Sequence, residues 1–201
     1  AAMMLGDLGA RVIKVESPGT GDDTRGWGPP FVGPDDARES TYFLSCNRNK
    51  ESIVLDLKSE AGKADFEKLA ATADILIQNL RPGVVDDIGI GPEAMLKRHP
   101  RLIYCSIWAF GYQGPLKMKP GFDPLLQAYG GMMNVTGDPS GPPQRAKVFT
   151  GDYLTALTGW ASTMMALWEV KKTGRGQVID LAQYEAVAQT NGDRKSTRLN
   201  S

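Results

Sequence analysis

Asp152 is the only charged residue in FTGDYLTALTGWASTMMALW (149–168). A carboxylate at the head of so apolar a run has two uses. At a helix start it accepts the free N–H groups of the next turn, here Leu154 or Thr155, as an N-cap. An ionised carboxylate also attacks an acyl carbonyl and gives a mixed anhydride. The two uses are compatible. The positive end of a helix stabilises an anion, so Asp152 is expected to stay ionised. Its neighbours Thr150 and Gly151 are small and leave room for a substrate.

Other residues stand where chemistry is feasible. Lys58, in VLDLKSE, sits where a strand hands over to a helix. A cation there reaches a phosphate, or is simply a solvated lysine. Asn79 and Arg81 lie in IQNLRPG, ahead of the Pro82–Gly83 turn. Asn79 offers a donor and an acceptor, or only forms a turn. PGTGDDTRGWGP (18–29) has the glycines of a phosphate cradle but no G-K-[ST]. Asp23–Thr24 stands where a dinucleotide fingerprint has its third glycine, so a flexible surface loop is the preferred reading. The one histidine, His99 in KRHPRL, precedes a proline and reads as a solvated loop residue. That argues against histidine-based catalysis and His-ligated zinc; no metal site is expected. Cys46 and Cys105 have neither zinc spacing nor a disulfide framework. They suit a reducing compartment, and a cytoplasmic location is expected.

These residues need a frame. GARVIKVE (9–16), ESIVLDL (51–57), DILIQNL (74–80), RLIYCSIWAF (101–110) and the start of 176–192 read as strands. Between them, 58–73 is an amphipathic helix capped by Ser59, with Phe66, Leu69 and Ala70 on one face. Residues 81–100 hold two helical pieces broken at Gly89–Pro92. Residues 123–131 form a short helix with Asp123 as its cap. Residues 152–174 form a long one ended by Gly174 after two lysines. Residues 17–40 read as a long loop. Strand–helix alternation predicts an α/β, Rossmann-like parallel sheet with flanking helices, whose ligands sit beyond the carboxyl ends of the strands.

Composition bounds the rest. At 201 residues the chain is long enough for one domain with a core. Lys plus Arg equals Asp plus Glu at 23 each, so no field for nucleic acid or an anionic membrane is expected. The uncharged run 153–168 is too short and too rich in Thr, Ser and Gly to span a bilayer, and is expected to be a buried helix. The chain opens inside an apolar helix-like run, and DRKSTRLNS (193–201) changes character abruptly. The expectation is a partial large domain over 1–192, cut at both ends. The tail, 193–201, has the character of a translated sequencing adaptor.

Five stretches together resemble the class III CoA-transferases, the family of formyl-CoA and carnitine CoA-transferases. They are LGDLGARVIKVESPGTGDDTRGWGP, NRNKESIVLDLKSEAGK, ADILIQNLRPGV, RLIYCSIWAFGYQGP and GDYLTALTGWASTMMALWEVKKTGRGQVIDLAQYEAV. The resemblance covers residues 1 to 192. It implies that Asp152 is the nucleophile. It implies that Leu55, Asp56, Leu57 and Lys58, then Asn79, Leu80 and Arg81, then Pro120, Gly121, Phe122 and Asp123 line coenzyme A. Ser17 and Asp87 stand where some members carry CoA-contacting arginines. It implies an acyl-CoA donor, a small carboxylic acid acceptor, an interlocked homodimer, and a whole protein roughly twice this length, so that this piece alone is inactive. The implied route passes through an acyl-aspartyl anhydride and an aspartyl-CoA thioester. Carnitine/crotonobetaine is the first candidate pair, with formate/oxalate and other dicarboxylates open. The alternatives are an α-methylacyl-CoA racemase of the same fold and a non-catalytic fragment. The racemases pair the aspartate with a histidine in a stretch like GHDINY. Here the stretch is GFDPLL, and Phe122 carries no proton.

Overall fold

In the computed structural model, which describes residues 1–192, the β-branched runs pair in parallel as the alternation requires. The chain divides into two compact units, the first being Ala1–Ala73 and the second beginning at Asp74.

The first unit runs α1 (Ala2–Asp7), β1 (Val12–Glu16), a 3₁₀ turn (Asp23–Gly26), β2 (Phe31–Val32), β3 (Glu39–Ser40), α2 (Thr41–Asn47), β4 (Lys50–Val54) and α3 (Glu60–Ala70). Strands β1 and β4 are parallel, and β2 and β3 form a small antiparallel pair. The stretch 17–40, expected to be a free loop, is fastened at its start. Glu16 is 5% exposed and takes hydrogen bonds from Arg25 Nε and Nη2, the Asp22 N–H and the Ser52 hydroxyl. The Arg25 pair, with help from Ser52 and Lys14, holds its carboxyl at about 2 against the opposing effect of burial. A buried charge needs that many partners, and the glycines let the chain wrap round to supply them. Ser59 caps α3 as expected, its hydroxyl 3.0 Å from the Gly62 N–H.

The second unit runs β5 (Ile75–Gln78), α4 (Val84–Asp87), α5 (Pro92–Arg98), β6 (Ile103–Trp108), α6 (Asp123–Tyr129), α7 (Met132–Val135), α8 (Thr150–Thr173), β7 (Gln177–Ala182) and α9 (Gln183–Ala188). The sheet order is β5-β6-β7, all parallel. Helix α8 ends at Gly174 in the left-handed conformation, with Lys171 and Lys172 in its last turn. It is not buried all round. Its small residues Gly151, Thr155, Gly159, Thr163 and Ala166 face inward, at a spacing of three or four. Thr155 and Thr163 are buried with their hydroxyls partnered, each bonding back to the carbonyl of Gly151 or Gly159. Ala166 and Val170 pack on Ile103, with Ile75 and Ile179 beside them. The large residues point the other way: Tyr153, Leu157, Met165 and Trp168 are exposed. No helix among the described residues is long and apolar enough to cross a membrane. The tail 193–201 lies outside the described residues.

Candidate active site

Strands β6 and β7 lie side by side, and their carboxyl ends, Trp108 and Ala182, stand in register. The chain leaves β7 directly into α9, and the Tyr184 N–H donates to the Ala109 carbonyl at 3.1 Å, tying the two exits together. Ala109, Phe110, Leu126 and Val187 form the core beneath. The first turn of α8 meets α6 and α9 at this edge, and Asp152 lies in that turn.

Asp152 is not the N-cap. The helix starts two residues earlier than expected, with Phe149 at the cap position and no side-chain cap there. Asp152 is the third helical residue, so its own N–H is one of the unpaired donors of a helix start. That N–H is taken by Asp123 Oδ2 at 3.1 Å. Asp123, in turn, does not cap its own helix; Phe122 holds the α6 cap position without a side-chain bond. Asp123 is 3% exposed. Its Oδ1 accepts from Gln127 Nε2, and Gln127 Oε1 accepts the Ala146 N–H at 2.8 Å. Gln127 thus pins the segment that leads into α8. Gly151 fits closely here: a Cβ would lie 3.1 Å from Asp123 Oδ2 and 3.0 Å from Val187 Cγ2, so either neighbour would have to shift by a few tenths of an ångström.

The Asp152 carboxylate is half-buried and receives one hydrogen bond among the described residues, from Gln183 Nε2 to Oδ1 at 3.0 Å. Burial, and then the nearby Asp123 charge, raise its pKa; the Gln183 hydrogen bond pulls the other way. The expectation of a carboxylate settled by the helix end is corrected accordingly. The Leu154 and Thr155 N–H groups it was to use lie inside a helix that begins at Thr150, and the free donor nearest it, its own N–H, goes to Asp123. A carboxylate short of hydrogen bonds is a stronger nucleophile than a fully solvated one.

The expected site residues are distributed as follows. Asp123 touches Asp152 directly, and Gly121 abuts the Ala109 methyl, where an added Cβ would lie 2.9 Å away. Pro120 is exposed, and Phe122 is 74% exposed. Asn79, Leu80 and Arg81 follow β5 at the carboxyl edge of the same sheet, and all three are exposed. Gln78 holds that exit, donating to Ser106 and Tyr112 while its Oε1 accepts the Leu80 N–H. Leu55, Asp56, Leu57 and Lys58 follow β4 in the first unit. Asp56 Oδ1 accepts the Lys58 N–H at 2.9 Å, and a Cβ on Gly62 would lie 2.0 Å from the Asp56 carbonyl oxygen. Lys58 itself is exposed. Among the described residues no group of three or more His, Cys, Asp or Glu is placed to hold a metal.

Two members of the site carried weak sequence signals. Asp123 and Gln127 are four apart on one helix, a spacing that puts them on one face. Gln183 had no signal beyond following a strand, because its partner is 31 residues away in sequence.

The family model for CoA-transferase family III matches residues 1–197. The succinyl-CoA:glutarate CoA-transferase of Homo sapiens is 46% identical over 180 residues, which is 90% of this chain and 40% of that protein. The acetyl-CoA:oxalate CoA-transferase of Acetobacter aceti is 45% identical over 186 residues, 90% of this chain and 46% of that protein. A crystal structure of a CAIB/BAIF family protein from Brucella suis superposes with a TM-score of 0.93 at 40% identity, covering 100% of this chain and 53% of that one. The chain therefore spans about half the length of the relatives it matches or less.

Proposed function

The chain belongs to CoA-transferase family III, and on that basis we propose that the whole protein moves coenzyme A between two carboxylic acids with Asp152 as nucleophile. The observation that carries this reading is the state of Asp152: half-buried, of raised pKa, and bound at one oxygen by Gln183. Its other oxygen has no hydrogen-bond partner among the described residues.

The steps balance without ATP or metal. Asp152 Oδ2 attacks the thioester carbon of the donor acyl-CoA; the C–S bond breaks and the thiolate leaves. The thiolate then attacks Asp152 Cγ, forming an aspartyl-CoA thioester and expelling the donor acid as its carboxylate. The acceptor carboxylate attacks that thioester, giving a new anhydride and the thiolate again. The thiolate attacks the acceptor's acyl carbon, releasing acceptor-CoA and the free Asp152 carboxylate. No net proton is moved, which fits a site with no histidine among the described residues. Lys58, Asn79 and Arg81 are proposed to contact coenzyme A, their exposure at strand ends supporting the role. The relatives named for glutarate and oxalate favour dicarboxylic acids over the carnitine pair. The outward apolar face of α8 supports a homodimer that covers it.

The test is chemical trapping in the whole protein. With succinyl-CoA alone, a CoA adduct should build up on Asp152, and hydroxylamine should convert that residue to a hydroxamate. A hydroxamate on another residue, or Asp152→Asn with substantial transfer activity, sinks the reading.

A further inference from the structure

We infer that Gln183 is a catalytic residue, donating to Oδ1 of Asp152 as negative charge develops on that oxygen during thiolate attack. This rests on the reading of Asp152 as nucleophile.

In the first step Asp152 acts through one oxygen, which becomes the bridge of the anhydride. Gln183 Nε2 lies 3.0 Å from Oδ1, so Oδ2 is left to attack. When the thiolate adds to Cγ, the C=O π pair moves onto Oδ1. The tetrahedral intermediate carries its negative charge there. When it collapses, the pair returns, the Cγ–Oδ2 bond breaks, and the donor acid leaves with Oδ2. The oxygen that bears the charge is the one Gln183 already faces, inside the 2.7–3.1 Å range over which such donors act. The same donor serves the reverse addition, when the acceptor carboxylate attacks the aspartyl thioester at the same carbon.

Gln183 is also well placed to stay put. It is the first residue of α9, immediately after β7, and the next residue's N–H is bonded to Ala109. Tyr184 packs on the buried cluster of Phe110, Leu126 and Val187. The donor is therefore mounted on the sheet, while the nucleophile is mounted on α8. A glutamine suits the task because its amide is a neutral donor at every working pH. It polarises Oδ1 without neutralising the attacking oxygen.

The test compares Gln183→Leu and Gln183→Glu with wild type in the whole protein, using succinyl-CoA as donor. The reading is the single-turnover rate at which the CoA adduct appears on Asp152, together with its pH profile. Gln183→Leu should slow the adduct about 10²–10³-fold, the loss usual for one oxyanion donor. Binding of succinyl-CoA should change less than about threefold, since the inference gives Gln183 its role on Asp152 Oδ1 and not on the donor. Its acid limb should move to higher pH, because the bond that favours the Asp152 anion is gone. Gln183→Glu keeps the shape but sets a second carboxylate against Asp152, and should lose as much with a larger upward shift. The limb shift follows from the resting hydrogen bond alone, so the binding-to-rate split is the readout that a merely structural role would not move. If Gln183→Leu forms the adduct at the wild-type rate, the inference fails. It also fails if the leucine variant misfolds while a folded Gln183→Glu is as fast as wild type. If wild type itself forms no adduct on Asp152, the function fails first, and that outcome is separately visible.

Discussion

Replacing Asp123 with asparagine should be costly although the two side chains have the same shape. The reason is hydrogen-bond parity. At one end of the chain of contacts, the Ala146 N–H is a fixed backbone donor to Gln127 Oε1. That orients the Gln127 amide so that its NH₂ faces Asp123 Oδ1. At the other end, the Asp152 N–H is a fixed donor to Asp123 Oδ2. The residue between must accept at both oxygens, which a carboxylate does and an amide does not. In Asp123→Asn one NH₂ must face another donor. A stranded buried donor costs about 1–3 kcal/mol. The cheaper arrangement keeps the oxygen on the Asp152 N–H and turns the NH₂ toward Gln127. Gln127 then falls back on the Ala146 and Val148 carbonyls, now 3.4 and 3.3 Å away. That relief sets the expectation at about 1–2 kcal/mol. Asp123→Ala loses the helix cap as well and should cost about 2–4 kcal/mol. Gln127→Glu placed on Asp123→Asn restores an acceptor opposite the NH₂ and should recover part of the loss. Repulsion from the two carbonyls keeps the recovery incomplete. Chemical denaturation of the whole protein measures all three against wild type. A pH–rate profile adds a sign: the Asp123 charge raises the Asp152 pKa, so Asp123→Asn should move the acid limb of kcat/KM to lower pH. An asparagine variant as stable as wild type, with no recovery in the double variant, refutes the parity argument.

Lys58→Ala and Arg81→Ala should each raise the apparent KM for CoA esters more than they lower kcat, by the roughly 1.5–3 kcal/mol of a charge-assisted phosphate contact; steady-state kinetics with unchanged KM in both would remove them from the site. Glu16→Gln should destabilise the first unit at neutral pH and flatten its acid response. The native Glu16 carboxyl sits at about 2 against an ordinary 4.5, so its contribution is present above about 4.5 and is lost as pH falls towards 2. Acid titration followed by circular dichroism checks this, and an unaltered acid transition counts against it. Phe122 at the position of the racemase histidine predicts no exchange of the α-proton of a 2-methylacyl-CoA in deuterated water, read by mass spectrometry; rapid exchange would favour the racemase.

Periodic features were legible in the sequence because they are local. The strands of β-branched residues, the Ser59 cap and the Gly174 stop all depend on neighbours within a turn. The short helix Thr41–Asn47 went unread, since it follows a Pro- and Gly-rich stretch with no long apolar stripe of its own. The expectation of a buried α8 is corrected for a physical reason. Most of its inward side chains are small because the helix lies close on the sheet, while the large Met165 and Trp168 face outward. Glu16 and Gln183 were unreadable because what distinguishes them is long-range: Ser52 stands 36 residues from Glu16, and Asp152 stands 31 from Gln183.

On the proposed reading of Asp152 as nucleophile, the choice between cap and nucleophile dissolves once two aspartates are counted. Had Asp152 capped its own helix, its oxygens would have accepted backbone N–H bonds. Those bonds favour the anion but tie up the lone pairs that must attack. The structure divides the labour. Asp123, from a different helix, takes the free donor at the start of α8, and that donor is the N–H of Asp152 itself. The positive end of the helix is thereby spent on Asp123, whose charge pushes the Asp152 pKa up rather than down. What remains for Asp152 is one neutral donor on Oδ1. A single substitution separates the two duties. In Asp152→Asn the backbone N–H that Asp123 needs is unchanged, and the amide keeps an oxygen for Gln183. Stability should therefore fall by less than about 1 kcal/mol, while transfer nearly vanishes. Loss of activity together with a loss of several kcal/mol would mean that the Asp152 side chain, and not Asp123, holds the helix start.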